Sequence, residues 1–313
     1  MIRRLSLLFL FLFLFSSSFI QANISVTIVS NPDSALLYTP VYVTLLLRND
    51  GPGLILAPVN DDPRRGIGIE ISTPNGYLAI TPDSFSKRFG DDVRWLKTNG
   101  EFLFQYEISE KLPAEGIYEI RAAYRGDGVC RILKGQLSEF QLKPIPSKAD
   151  EYDCFKGNAF SETKKILIYK PVNHDDMKIL EEVISGRWRT ALRNWDNSDV
   201  RRKLVDAFPH LIEEYPNSTY TYAAGLYSAS SSMWGCPYET LEKIMALQPN
   251  HPLTIYAQMK WRLSVFWEAR DKEYGSGARD RIATKGMTKL PGVLEQFVSQ
   301  REAEINSQPY PGQ

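Results

Sequence analysis

The side chains best suited to chemistry are few and scattered. Three cysteines, Cys130, Cys154 and Cys236, and three histidines, His174, His210 and His251, are the candidates for thiolate, imidazole or metal chemistry. No Cys-x-x-Cys occurs and the histidines lie far apart, so the ligand spacing of a zinc site is missing. Cys236 with His210 or His251 is the least poor thiolate–imidazole pair. No Gly-x-Ser-x-Gly elbow or cysteine-nucleophile signature accompanies it. The carboxylate pairs Asp91-Asp92, Asp175-Asp176 and Glu213-Glu214 are adjacent in sequence, which on a helix aims them in different directions rather than at one substrate. They read as surface and cap residues. The sequence thus assigns no catalytic residue, no cofactor site and no metal ligand.

Cysteine chemistry depends on compartment. Arg3 and Arg4 precede a Leu/Phe run from Leu5 to Phe15, and Ser16 to Ala22 form a mostly small or polar exit. This is the pattern of a signal peptide, with cleavage expected after Ala22 and an alternative cut after Ser18. The run is shorter than the roughly 20 residues of a membrane span, so no stable span is expected after cleavage. The expected location is exported, periplasmic or extracellular. There Cys130 and Cys154 could pair, a bridge worth about 3 kcal/mol, with Cys236 left over. An odd count equally fits three unpaired thiols.

Recognition chemistry is the other possibility. Arg94 and Trp95 lie in a long connection, Thr81 to Asn99, without strand periodicity, where an exposed Trp flanked by Arg would suit a partner-binding anchor. Packing over the edge of a sheet is the plainer role for Trp95. Five of the six tryptophans, Trp188, Trp195, Trp234, Trp261 and Trp267, lie further on. Lys plus Arg and Asp plus Glu both number 37, so no global field favours nucleic acid. The basic run Arg187, Arg189, Arg193, Arg201, Arg202 and Lys203 reads as a solvated helix face.

The elements that must position these residues fall into two halves, about what 313 residues allow. From Ile24 to Pro146 short β-rich runs are divided by turn residues. Asn75-Gly76 predicts a hairpin joining Gly66–Ser72 to Tyr77–Ile80. Leu112 to Tyr124 resembles the late strand of immunoglobulin-like and fibronectin-like sandwiches, with Tyr118 as a corner tyrosine whose hydroxyl would bond to upstream backbone. Gly126-Asp127-Gly128 reads as a turn into a last strand, Cys130 to Leu142.

Beyond Pro144–Pro146 the period becomes helical, with Asp175-Asp176 as a cap. Placing Pro216 on Pro249, 33 positions on, also superimposes Asn217 on Asn250, Thr221 on Thr254 and Ala224 on Ala257. The apolar positions follow the same offset: Leu211 meets Ile244 and Tyr222 meets Ile255. Two copies of one helix-turn-helix unit are the natural reading. A period near 34 resembles the tetratricopeptide repeat over about Val200 to Asp271, although the fuller Trp, Leu, Gly and Tyr pattern is missing. The resemblance implies binding of a protein or peptide on a concave helical surface, with Tyr222, Trp234 and Trp261 as candidate anchors beside Arg94 and Trp95. Gly275-Ser276-Gly277 reads as a flexible connection, and a last helix is expected from Pro291 to Ile305.

The expected organisation is multidomain: signal peptide 1–22, immunoglobulin-like all-β sandwich 23–146, linker 147–172, all-α tetratricopeptide-like repeat domain 173–305, and a disordered tail 306–313. The expected function is that of an exported non-enzymatic interaction or scaffold protein. The alternatives are an exported hydrolase of cell-wall or polysaccharide substrate, with a site between the domains, and a surface-layer or adhesion role.

Overall fold

The computed structural model describes residues 23–52, 55–58, 66–73, 76–80, 93–131, 151–185, 200–231, 237–270, 275–286 and 289–307. A β-rich N-terminal region precedes a helical C-terminal one. The strands are β1 (Ile24–Ser30), β2 (Ser34–Leu36), β3 (Tyr42–Asn49), β4 (Ile55–Pro58), β5 (Gly66–Thr73), β6 (Gly76–Ile80), β7 (Val93–Leu96), β8 (Glu101–Glu107), β9 (Gly116–Arg131), β10 (Glu151–Phe160) and β11 (Lys164–Tyr169). They assemble in the orders β1-β3-β8, β2-β11-β9-β5-β6 with β10 also on β9, and β4-β7. The helices are α1 (His174–Ile179), continued by a π turn over Leu180–Ile184, then α2 (Val200–Glu214), α3 (Thr219–Ser231), α4 (Pro237–Leu247), α5 (Thr254–Ala269), α6 (Ser276–Lys285) and α7 (Gly292–Ser307).

Packing divides the chain into two units, and neither is a contiguous half. The first comprises Met1–Ile28, Leu45–Phe104 and Ile120–Lys164. Its inner face follows the period of two, as in Ile67, Ile69 and Ile71 on β5 and Ile120, Ala122 and Tyr124 on β9, all buried. The predicted hairpin is present, with Thr73 opposite Gly76 and Ile69 opposite Ile80. Two expectations fail here. β9 runs through Gly126-Asp127-Gly128 without turning and pairs with β10, placing Gly126 opposite Gly157 and Cys130 opposite Tyr152. The glycine serves close approach instead: a Cβ on Gly126 would sit 2.1 Å from the Phe155 carbonyl oxygen. The stretch expected as linker likewise contains β10 and β11, because β9 offers it a backbone ladder.

The second unit comprises Val29–Thr44, Gln105–Glu119 and Lys165–Gln313. Residues 29–44 and 105–119 thus belong with the helices. β2 pairs in parallel with β11, Ser34 opposite Leu167, and Leu36 enters the same apolar core as Leu204, Leu211, Tyr222 and Trp261. The Tyr118 hydroxyl donates to the Ala114 carbonyl at 3.0 Å and accepts its N–H at 3.2 Å, the corner read from sequence. Asn173, not the Asp pair, caps α1 by accepting the Asp176 N–H at 2.8 Å. Ser276 and Gly277 open α6 rather than forming a flexible connection. α7 covers the predicted last helix, with Leu294, Phe297 and Val298 buried. No helix among the described residues is long and apolar enough to cross a membrane.

Candidate functional site

Among the polar networks of the second unit, two join its turns and strand ends. The first ties the α2–α3 turn to the α4–α5 turn. At the first turn Tyr215 N–H donates to Leu211 O at 2.8 Å, Ser218 N–H to Tyr215 O at 3.1 Å, and the Thr221 hydroxyl to Tyr215 O at 2.7 Å. At the second, 33 positions on, Gln248 N–H donates to Ile244 O at 3.1 Å, His251 N–H to Gln248 O at 3.2 Å, and the Thr254 hydroxyl to Gln248 O at 3.1 Å. The turns are also joined directly. Gln248 Nε2 donates to the carbonyls of Pro216 (2.8 Å) and Ser218 (3.0 Å), and the Tyr222 hydroxyl donates to Thr254 Oγ1 at 3.0 Å.

Asp176 closes this network from α1. Its buried carboxylate accepts the Ser218 hydroxyl and, at 2.9 Å, the Thr219 N–H at the start of α3, where a negative charge is favoured by the helix dipole. The His251 ring stacks on Tyr222 at 4.3 Å and its Nδ1 accepts the Leu253 N–H at 3.1 Å. Burial lowers its pKa to about 4, against the opposing pull of Asp176. Burial also pushes the Tyr222 phenol up to about 12, despite its bond to Thr254.

The second network gathers Tyr42 on β3, Glu107 on β8, Ser109 beyond it, Arg201 on α2, Tyr227 on α3 and Lys260 on α5. Tyr227 and Ser109 share a hydrogen bond of 3.2 Å, Ser109 donates to Glu107, and the Tyr227 hydroxyl lies 3.3 Å from Tyr38 O. Arg201 pairs with Glu107 at 3.7 Å and lies 5.0 Å over the Tyr227 ring. Tyr42 packs on Tyr256 at 4.4 Å with the Lys260 ammonium 5.5 Å from its ring. Burial, reinforced by Glu107, holds the Tyr42 and Tyr227 phenols well above their usual range, so both remain donors. Burial lowers Lys260 to about 8, with Arg201 adding to the shift and Glu107 opposing it. Lys260 donates to Ser230 Oγ at 2.7 Å, while Ser230 donates to Leu226 O at 2.8 Å. The serine proton is therefore committed to backbone. The pair forms a chain of donors that links α3 to α5.

The residues proposed as anchors from sequence are not brought together. Tyr222 and Trp261 lie in the core, 1% and 4% exposed, and the Trp261 indole N–H donates to Glu242 at 2.9 Å. Their apolar bulk fills the space between helices, and a partner would have to displace that packing to reach them. Arg94 and Trp95 belong to β7, opposite Ala57 and Leu56 of β4, not to an aperiodic connection. Their side chains, like Trp234 and the Cys130, Cys154 and Cys236 thiols, lie outside the described residues. Glu107, Ser109, Arg201, Tyr227 and Lys260 were not singled out by sequence reasoning as a group. Their separation along the chain hides the cluster, and Arg201, expected with its basic neighbours on a solvated helix face, instead pairs with Glu107 and lies over Tyr227.

Comparison with known proteins adds little. No family model matches the chain and no curated protein matches it. Among solved structures it is similar to the CARDB domain of a Pyrococcus furiosus protein, in complex with di-metal ions, at 10% identity over 48% of this chain and 90% of that one, with a TM-score of 0.24. A β-glucosidase from Listeria innocua in complex with glucose matches at 8% identity over 48% of this chain and 17% of that one, with a TM-score of 0.23. A bacterial hydrophobin matches at 15% identity over 49% and 97%, with a TM-score of 0.21. Likenesses this distant carry no functional argument.

Proposed function

We propose that this chain is an exported, non-enzymatic interaction protein in which an immunoglobulin-like β-sandwich carries divergent tetratricopeptide-like repeats that bind a protein or peptide. The observation that carries the reading is the recurrence of three hydrogen bonds, donor and acceptor positions alike, 33 residues apart at the two Pro-Asn turns. Repeats of this kind stack to bury faces that no single unit can bury, and the outer helical surface is then free for recognition.

The inner side of α3 and α5 is occupied by the chain's own Tyr38, Tyr42 and Ser109. The contact surface therefore belongs to the first helix of each pair, where Glu213 and Glu214 on α2 and Glu239, Lys243 and Leu247 on α4 are exposed. A crosslinking pull-down from envelope fractions of the source, comparing the mature chain with a Lys243→Glu/Leu247→Asp variant, tests this. A partner captured by the parent and lost in the variant supports the reading; equal capture by both, or none, removes it. N-terminal sequencing of the exported protein checks the leader independently, with Asn23 expected as the first residue.

A further inference from the structure

The face of the first unit's sheet that carries Glu70 holds a second feature. Opposed residues of neighbouring strands share a face, and Glu70 stands opposite Arg121, Gly68 opposite Ala123 and Gly66 opposite Arg125. Ala79 of β6 lies opposite Glu70, and Phe160 of β10 lies opposite Ala123. The small residues Gly66, Gly68, Ala79 and Ala123 floor a shallow depression walled by Glu70 and Arg125. Arg121 donates through Nε to Glu70 at 2.8 Å, and Arg125 bonds the other oxygen of the same carboxylate. Glu70 is buried while the two arginine side chains are 27% and 30% exposed. The Arg121 guanidinium is stacked 3.8 Å from the Tyr77 ring and 4.5 Å from the Phe160 ring. Both rings remain open to water, at 39% and 46% exposure.

We infer that this face binds an acidic polysaccharide through its uronic-acid units. Two exposed aromatic rings offer flat apolar surface to the C–H face of a sugar. Two arginine side chains, each partly exposed and oriented by one buried carboxylate, set positive charge beside those rings for a sugar carboxylate. A uronic acid carries a flat apolar face and a carboxylate within one ring, the two chemistries that the exposed rings and the arginines beside them recognise. The Tyr77 hydroxyl, 3.4 Å from Thr163 Oγ1, and exposed Asn158 supply polar partners for sugar hydroxyls. Glu70 acts as a positioning residue, because its carboxylate fixes both guanidiniums without facing solvent.

The test is titration of the mature full chain with tri-galacturonate by calorimetry, beside neutral galactotriose and a tri-glutamate peptide. Tri-galacturonate is expected to bind at least tenfold more tightly than either control and to weaken as salt is raised. Phe160→Ala with Tyr77→Ala should weaken binding at least tenfold while the unfolding temperature stays within a few degrees, since both rings are partly exposed. If the double variant does not fold, Phe160→Leu alone serves, with a threefold or greater loss expected. Arg121→Lys, which keeps the charge and loses the planar fork, should also bind more weakly. No binding at millimolar concentration, unchanged binding in the ring variants, or equal binding of galactotriose or tri-glutamate would overturn the inference.

Discussion

Two cations on α5, two residues apart, are treated in opposite ways. Arg262 faces α7, where Glu302 accepts its Nε at 2.6 Å and its Nη2 at 2.8 Å, and Glu295 accepts Nη1 at 2.8 and 2.9 Å. Those bonds, Glu302 first, raise its pKa despite burial. Lys260 faces α3 and the strand ends, where it donates to the neutral Ser230 and lies over the Tyr42 ring, and burial lowers its pKa to about 8 although Glu107 pulls the other way. The difference shows what each contact is for. The Arg262 fork ties α5 to α7 by charge, whereas the Lys260 side places a cation in a tyrosine-lined seam at an energetic cost.

The largest test of this contrast is Arg262→Met. Removing the guanidinium leaves Glu295 and Glu302 facing each other at partial burial, and denaturant unfolding should show a loss of about 2–4 kcal/mol. Adding Glu295→Gln and Glu302→Gln should restore part of it, because the repelling charges go as well. Next comes Asp176→Ala, which strips the Ser218 hydroxyl and the Thr219 N–H of their acceptor. A loss of about 1–3 kcal/mol is expected, with Asp176→Asn losing less.

A smaller effect is expected from His251. Its pKa falls from 6.5 unfolded to about 4 folded, so the unfolded chain binds the proton first. Its contribution is complete above pH 6.5 and is lost as pH drops toward 4, on the order of 1–3 kcal/mol in all. Unfolding curves at stepped pH should show that slope in the parent and a flatter one in His251→Asn. Smallest is Lys260→Met. Below pH 8 the parent carries a buried charge at a cost, relieved as pH rises from 8 to 10.5, so stability rises across that window. The variant should match or exceed the parent by at most about 1 kcal/mol at neutral pH and lack the rise.

Much of the local structure was legible in residues close in sequence. Asn75-Gly76 marks the hairpin from sequence, although Gly76 pairs opposite Thr73 and so opens the strand instead of sitting in the turn, and Tyr118 reaches only four residues back. The Pro-Asn turns recur because each stops one helix and starts the next. Where a residue type permits two uses, the reading failed. Gly126 suits a turn and a close strand crossing equally, and only Phe155, 29 positions on, selects the second. Tyr222 and Trp261, as large aromatic residues, suit both a core and a binding face, and burial selects the core.

The sequence by itself determined the order of element types, the hairpin, the corner tyrosine and the offset of 33, since these follow from dihedral preference and periodicity over a few residues. Only the tertiary structure decided that residues 29–44 and 105–119 join the helical unit and that Glu70 gathers Arg121 and Arg125. It also decided that Arg262 finds two carboxylates on α7. Those partners lie from about 33 to 55 positions apart or more. A charge or an aromatic ring carries no address in the sequence, and its partner is fixed only once backbone pairing and burial bring the two together.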